Sequence, residues 1–126
     1  MTKKSKTEEL TDLLGNLGTY PPDIEASAII SADGFIIASV LPEDAKKDRT
    51  AIISAVMLSL GKRAAQELER GGLSEVYIRG KSGYVVIMAS GNAAILTALA
   101  RQDADLVSVF SGMRMTVTKM TEILYA

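Results

Sequence analysis

The N-terminal part of the chain carries apolar residues at helical spacing behind a capping signal. Residues 5–8 (Ser-Lys-Thr-Glu) fit the capping-box pattern, and leucines at positions 10, 13, 14 and 17 recur every three or four residues. This pattern predicts an amphipathic helix over about residues 6–17. Gly18 can end the helix, and Pro21-Pro22 forbid its continuation because proline lacks a backbone N–H.

Two β-rich runs follow, over residues 24–31 and 35–40, with Ala32-Asp33-Gly34 between them. Asp-Gly between two such runs is among the strongest short hairpin signals, because glycine accepts the positive φ that a tight turn needs. Asp33 and Gly34 are therefore predicted to form a hairpin turn.

A long helix is predicted next, from about Asp48 to Arg70, where Gly71-Gly72 supply a stop. At 100° per residue its apolar residues form two adjoining stripes. The first stripe is predicted to cover the sheet and consists of Ile53, Val56, Met57, Leu60, Ala64 and Leu68. The second stripe is nearly uncharged and rich in small side chains, and it consists of Ala51, Ser54, Leu58, Gly61 and Ala65.

The second stripe predicts self-association. A surface helix of a monomer normally has one apolar stripe, and small side chains let another backbone approach closely. Gly61 costs roughly 0.5–1 kcal/mol relative to alanine inside a helix, and a close helix–helix contact would be a reason to tolerate it. The alternative is that the first or last helix of the same chain buries this stripe.

The second half of the sheet is predicted after this helix. Residues 73–79 and 84–89 are rich in Val, Ile and Tyr and flank a turn at 80–83. Residues 93–100 are ambiguous, because their Ala and Leu content favours a helix while their short length between turns suits a strand. Both alternatives remain open from the pattern alone.

A last helix is predicted to run to about Leu124, because apolar residues again recur at helical spacing behind Asp103 or Asp105 as the cap. With residues 93–100 as a strand, the order of elements is α-β-β-α-β-β-β-α. The pattern thus favours one α+β domain over residues 1–126.

Composition removes most catalytic chemistry. The 126 residues include Lys+Arg 14 and Asp+Glu 15, for a net charge of -1, and neither His nor Cys. Zinc fingers, disulfides, Cys–His pairs and Ser–His–Asp triads are therefore excluded. The balanced charge argues against a nucleic-acid partner. The absence of a signal-peptide core and of an apolar run of ~18–20 residues predicts a cytoplasmic protein without membrane insertion.

Two short motifs suggest ligands but fit a turn better. Gly80-Lys81-Ser82 resembles the end of a phosphate-binding loop, yet Glu75 stands where that motif needs glycine, and a strand follows instead of a helix. Residues 80–83 also match the GxxG of KH RNA-binding loops, which join two helices rather than two strands. The sequence therefore predicts no catalytic, cofactor-binding or metal-binding residue.

Several segments resemble Roadblock-type domains in their order and spacing. Residues 28–39 (AIISADGFIIAS) are similar to the opening hairpin, and residues 55–65 (AVMLSLGKRAA) to the long middle helix. Residues 76–80 (VYIRG) and 83–88 (GYVVIM) are similar to the second half of the sheet. The chain resembles the Roadblock / dynein light chain family, nearest to its stand-alone prokaryotic members, which include the bacterial MglB proteins that regulate Ras-like GTPases.

The resemblance implies a profilin-like fold, in which residues 93–100 complete a five-stranded antiparallel sheet between helices. It covers a core over residues 24–124 and implies nothing about the helix and basic tail in residues 1–20. It also implies a homodimer that pairs the long helices and the strand at 73–79. The expected interface consists of Ala51, Ser54, Leu58, Gly61, Lys62, Ala65, Val76 and Ile78.

The family further implies that a small GTPase docks on the helix-paired face of the dimer. The leading hypothesis is a homodimeric, non-enzymatic regulator or adaptor that binds a small Ras-like GTPase and modulates its activity or location. No arginine is identified as a catalytic finger, and MglB-like regulators act by positioning residues of the GTPase itself. The alternative hypothesis is a small-molecule-sensing or structural scaffold domain of the profilin or longin type.

Overall fold

Three helices and one five-stranded sheet form the computed structural model, which describes residues 3–19, 23–43 and 46–125. The elements are α1 (Lys6–Thr19), β1 (Ile24–Ser31), β2 (Ile36–Val40), α2 (Lys47–Glu67), β3 (Val76–Gly80), β4 (Gly83–Ser90), β5 (Ala94–Ala100) and α3 (Leu106–Leu124). The predicted α+β order is confirmed, and the ambiguous segment is a strand. Pro21 and Pro22, the predicted stop after the first helix, lie outside the described residues.

The first and last helices begin at side-chain caps. The backbone N–H of Glu8 donates to Ser5 Oγ at 3.1 Å, which is the capping box expected at the start of α1. The Asp105 carboxylate accepts the N–H of Val107 at 3.2 Å at the start of α3. Of the two aspartates considered for that cap, Asp105 is the one that forms it.

Helix α2 ends at Glu67, short of the predicted end at Arg70. Glu69 has a φ of 56° and Gly71 a φ of 84°, both in the left-handed region. A left-handed residue cannot continue a right-handed helix, so the winding stops before the two glycines that predicted the end.

The hairpin turn between β1 and β2 contains Asp33 and Gly34. Gly34 has a φ of 92°, which favours glycine. Its N–H donates to the Ser31 carbonyl at 3.0 Å, and the N–H of Phe35 donates to Ser31 Oγ at 3.0 Å. The turn is thus held by both the backbone and the side chain of the residue that ends β1.

The strand order is β2-β1-β5-β4-β3, and every neighbouring pair is antiparallel. β2 and β3 are therefore the edges of the sheet. Helices α1 and α3 cover one face, and α2 covers the other. Successive residues of β1 serve the two sides: Ile29 packs toward α1 and α3, and Ile30 packs toward α2.

Candidate interaction surface

Helix α2 faces the sheet with its small side chains, which reverses the predicted orientation. Ala51, Ser54 and Leu58 are 0%, 1% and 4% exposed. The larger residues expected to cover the sheet lie outside instead, at 49%, 57%, 57% and 68% exposed for Ile53, Val56, Leu60 and Leu68. The predicted sheet-facing stripe is therefore wrong. Small side chains let the helix axis come close to the sheet. A helical wheel does not reveal this preference, because neither stripe carries a charge.

A buried pair of hydroxyl groups holds this orientation. Ser54 Oγ donates to the carbonyl oxygen of Thr50 at 2.7 Å and accepts a hydrogen bond from Thr97 Oγ1 of β5 at 2.7 Å. Both Ser54 and Thr97 are buried, and a buried hydroxyl without a partner costs about 1–3 kcal/mol. Rotation of α2 about its axis would break this pair.

Gly61 allows β3 to approach α2 within the same chain. A Cβ atom at this position would lie 2.6 Å from Val76 Cγ2 and 3.2 Å from Leu73 Cδ2. The close contact expected from a glycine inside the helix therefore exists, but it joins the helix to the segment before and within β3. The side of α2 that carries Gly61 is the side nearest to β3.

The remaining residues of the expected interface divide by exposure. Lys62 and Ile78 are exposed, whereas Ala65 and Val76 are half-buried. Ala51, Ser54 and Leu58 lie in the interior of the single chain, so a second copy would not reach them without displacing α2 from the sheet. The structure thus brings together Gly61 and Val76 but not the eight residues as one exposed surface.

The apolar surface that α2 does expose differs from the expected interface. We call it the α2 outer stripe, and it consists of Ile52, Ile53, Val56 and Leu60. Phe35, directly after the hairpin turn, is also exposed, at 69%. Neither Phe35 nor Ile52 was predicted from the sequence to lie on an exposed contact surface.

A groove runs between α2 and the hairpin turn. Its volume is about 510 Å³, and it is lined by Ala32, Asp33, Gly34, Ile52, Ala55, Val56, Ser59, Leu60 and Arg63. We call it the hairpin groove. Its apolar wall is continuous with the α2 outer stripe, and Arg63 and Asp33 place one charge of each sign at its rim.

The edge strand β3 has no partner on its outer side within the described chain. Tyr77 and Ile78 are 53% and 39% exposed. On the α3 side of the sheet, the Tyr77 ring meets the Phe110 ring at 5.7 Å with an interplanar angle of 61°, and the Arg114 guanidinium lies 5.8 Å from the Phe110 ring centre. Arg114 also pairs with Glu75 at 3.3 Å.

A charged network lies elsewhere, where β1 and α3 begin. Asp23 accepts hydrogen bonds from the backbone N–H of Asp105 at 2.9 Å and from Arg101 Nη2 at 2.5 Å. The Asp105 amide and then the Arg101 guanidinium lower the pKa of Asp23 below its ordinary value. This network ties the start of α3 to the sheet and does not touch the α2 surface.

Within residues 3–19, 23–43 and 46–125, no cluster of three or more metal-ligating side chains is present. In the same described part of the chain, no helix combines the length and the apolar character that crossing a membrane requires.

The profile of the Roadblock/LC7 domain matches residues 6–100. The chain belongs to the Roadblock/LC7 domain family. Members of this family are generally non-enzymatic. A sequence comparison with curated proteins finds no match.

Solved structures agree with the family assignment. A Roadblock/LC7 domain from Streptomyces avermitilis superposes with a TM-score of 0.85 at 21% identity, over 92% of this chain and 98% of that one. The gliding protein MglB from Thermus thermophilus superposes with a TM-score of 0.84 at 16% identity, over 98% and 93%. Profilin IB of Acanthamoeba castellanii reaches 0.63 at 13% identity, over 90% and 97%. At these identities the likeness shows the fold, and it confirms the profilin-like architecture.

Proposed function

We propose that this Roadblock/LC7 protein pairs with a second copy along β3 and α2 and, as a pair, binds a small Ras-like GTPase on the outward surface of α2. The observation that carries the proposal is the large apolar α2 outer stripe on the helix next to the free outer edge of strand β3. Family membership supports a regulatory or adaptor role, and the α2 surface supplies the contact area.

The surface of α2 has two flanks. One flank borders β3, as the contact between Gly61 and Val76 shows, and the other borders the hairpin turn, since a Cβ at Gly34 would lie 3.8 Å from Ile52 Cα. At 100° per residue, one set of apolar side chains falls on the β3 flank: Ile53, Met57, Leu60, Ala64 and Leu68. We assign these residues, with β3, to the contact between two copies.

Self-association is supported by the chemistry of the β3 edge. An exposed strand edge presents unpaired N–H and C=O groups, and pairing with another strand removes that liability. The apolar β3 flank of α2 is continuous with Val76 and Ile78 on the same face of the sheet. A second copy related by a two-fold axis would cover the strand edge and the helix flank together.

The hairpin flank supports a contact with a different protein. Pairing along β3 leaves most of the hairpin groove open, because its lining lies on the opposite flank of α2 except for Leu60, which borders both flanks. Its lining combines an apolar wall with Asp33 and Arg63 at the rim, a composition that suits a protein surface. Regulation then requires that the pair bind one nucleotide state of the GTPase more tightly than the other, since only differential affinity shifts an equilibrium.

The test uses calorimetry to measure the affinity of the protein for a Ras-like GTPase encoded in the same genome. The GTPase is tested in its GDP form and in its GTP-analogue form. Val56→Arg places a charge in the hairpin groove and is expected to weaken GTPase binding at least tenfold while light scattering still shows a dimer. Val107→Arg is the matched control, because Val107 is exposed on the opposite face. Absence of binding to either nucleotide form would refute the GTPase assignment, and equal binding of both forms would leave a scaffold.

The ligand-sensing alternative makes a different prediction. A metabolite held in the hairpin groove would raise the melting temperature of the wild-type protein, and Val56→Arg would abolish that shift. No such stabilisation is expected if the groove receives a protein surface.

A further inference from the structure

The two faces of β3 carry different side chains. Val76 packs against α2 at Gly61, and Tyr77 contacts Phe110 of α3. Because side chains alternate along a strand, Ile78 shares the α2 face with Val76, and Arg79 shares the α3 face with Tyr77. We propose that β3 pairs with β3 of a second copy in the register that sets Ile78 opposite Ile78, so that Tyr77 of each copy lies opposite Arg79 of the other. This inference rests on the self-association in the proposed function.

Symmetry limits the registers to a few. If both α2 helices lie on one face of the joined sheet, the two-fold axis is perpendicular to the sheet and keeps each face on its own side. Directly opposed residues of antiparallel strands point to the same face. Neighbouring residues point to opposite faces, so one residue must lie opposite its own copy. Within the middle of β3 the candidates are Tyr77, Ile78 and Arg79.

The Ile78 register pairs the most backbone. With Ile78 at the axis, Val76 lies opposite Gly80 and the whole of β3, Val76–Gly80, is paired. With Tyr77 or Arg79 at the axis, the strand overlaps its copy only in part. A longer ladder leaves fewer backbone N–H and C=O groups unpaired at the seam.

Side-chain chemistry also favours this register. With Arg79 at the axis, two guanidinium groups would lie directly opposite each other, which is destabilising. With Tyr77 at the axis, Arg79 would lie opposite Glu75, in competition with the Arg114–Glu75 pair at 3.3 Å. Neither conflict arises when Ile78 lies opposite Ile78.

The Ile78 register also completes the aromatic cluster of Tyr77 and Phe110, which is partly exposed in a single copy. Tyr77 already has the edge-on contact with Phe110 on one side, and its ring is otherwise exposed. Arg79 of the second copy would cover the exposed part, because arginine stacks favourably on aromatic faces. The two-fold axis repeats this contact, so each tyrosine lies between a phenylalanine of its own chain and an arginine of the other.

The chain contains no cysteine, so a single introduced thiol reports one distance. Directly opposed residues have Cβ atoms about 4.5–5.5 Å apart, near the range of a disulfide, whereas diagonal neighbours are about 7–8 Å apart and beyond it. Full-length Ile78→Cys is therefore expected to form a covalent dimer under mild oxidation in more than half of the chains. Tyr77→Cys and Arg79→Cys, each alone, are expected to form less than a tenth of that amount.

A mixture supplies the internal control. Tyr77→Cys and Arg79→Cys chains, refolded together, are expected to cross-link to each other because these positions are opposed in the proposed register. Efficient self-linking of Tyr77→Cys or of Arg79→Cys would overturn the register and identify the one that replaces it. Dimers in light scattering without any cross-link would overturn pairing through β3. Monomers for the wild-type protein in light scattering would instead refute the self-association in the proposed function.

Discussion

The two faces of the sheet are covered by helices in opposite ways. On one face, α1 and α3 bury large side chains, among them Leu10, Leu14, Met113 and Met120, and leave only scattered apolar residues such as Val107 and Met115 exposed. On the other face, α2 buries Ala51 and Ser54 and leaves its large apolar residues in the α2 outer stripe exposed. The α1 and α3 side is thus a core built from large side chains. The α2 side is a core built from small side chains, and its helix also presents an apolar outer surface.

This difference indicates where the molecule interacts. Scattered exposed apolar residues are ordinary, but a continuous apolar patch on a helix that already has a buried face marks an interaction site. On the α1 and α3 side, the exposed Val107 and Met115 are scattered. The α2 side, next to the free edge of β3, presents a continuous patch.

The first prediction compares the truncation of one leucine on each side of the sheet, and the largest effect is expected for the buried one. Leu14→Ala removes a side chain that is 0% exposed and is expected to lower the free energy of unfolding by about 2–5 kcal/mol through the cavity it leaves. Leu60→Ala on the α2 outer stripe is expected to change the stability of the monomer by less than about 0.5 kcal/mol.

Urea denaturation at low protein concentration measures both changes. Raising the protein concentration sharpens the comparison, because Leu60→Ala should then lower the midpoint by weakening the dimer, whereas the loss in Leu14→Ala should not depend on concentration. Equal losses at every concentration would show that the two faces are equally complete.

The next largest effect concerns two glycines inside helices. Gly61→Ala is expected to destabilise the protein by about 1–3 kcal/mol, because the new Cβ would lie 2.6 Å from Val76 Cγ2. Gly15→Ala in α1 is the matched control, since nothing lies within 4 Å of its Cβ position and the gain in helix propensity should add roughly 0.5–1 kcal/mol.

Thermal unfolding of the two variants gives the answer. The melting temperature should fall for Gly61→Ala and rise for Gly15→Ala. A rise for both would show that α2 can move away from β3 at little cost, and it would remove the argument that Gly61 is required for the helix–strand contact.

Gly61 also illustrates which features could be predicted from the sequence and which could not. The capping box at Ser5, the Asp33-Gly34 turn and the order of elements depend on neighbouring residues, and they could be predicted from local patterns. The small-residue stripe on α2 was recognised as a close-contact surface, which it is. Its partner could not be identified, because the contact to Val76 joins residues far apart in the chain and the helical wheel shows two uncharged stripes.

The candidate surface was predicted only in outline for the same reason. Self-association through the long helix and β3 was inferred from the resemblance, but three of the helix residues assigned to it, Ala51, Ser54 and Leu58, are buried against the sheet. Knowledge of the Ser54–Thr97 hydrogen bond would have corrected the orientation, since a serine that bonds to a central strand must face the sheet. A helical wheel contains no information about which strand lies beneath it.

The smallest effect is expected from acidification, and it concerns the side of the sheet that α1 and α3 cover. The lowered pKa of Asp23 means that its interaction with the Asp105 amide and Arg101 stabilises the folded state fully above the ordinary carboxyl pKa of 3.8. That contribution is lost as the pH falls through the folded-state pKa. The melting temperature of the wild-type protein should therefore exceed that of Asp23→Asn at pH 6, and the gap should narrow below about pH 4. A gap that stays constant down to pH 3 would show that the aspartate acts through its hydrogen bonds alone, without a contribution from its charge.

Hydrogen exchange locates the acid-sensitive contact. Because Asp105 caps α3, exchange at low pH should rise first in the α3 amides and not in those of α2. That result would place the acid-sensitive contact on the α3 side of the sheet.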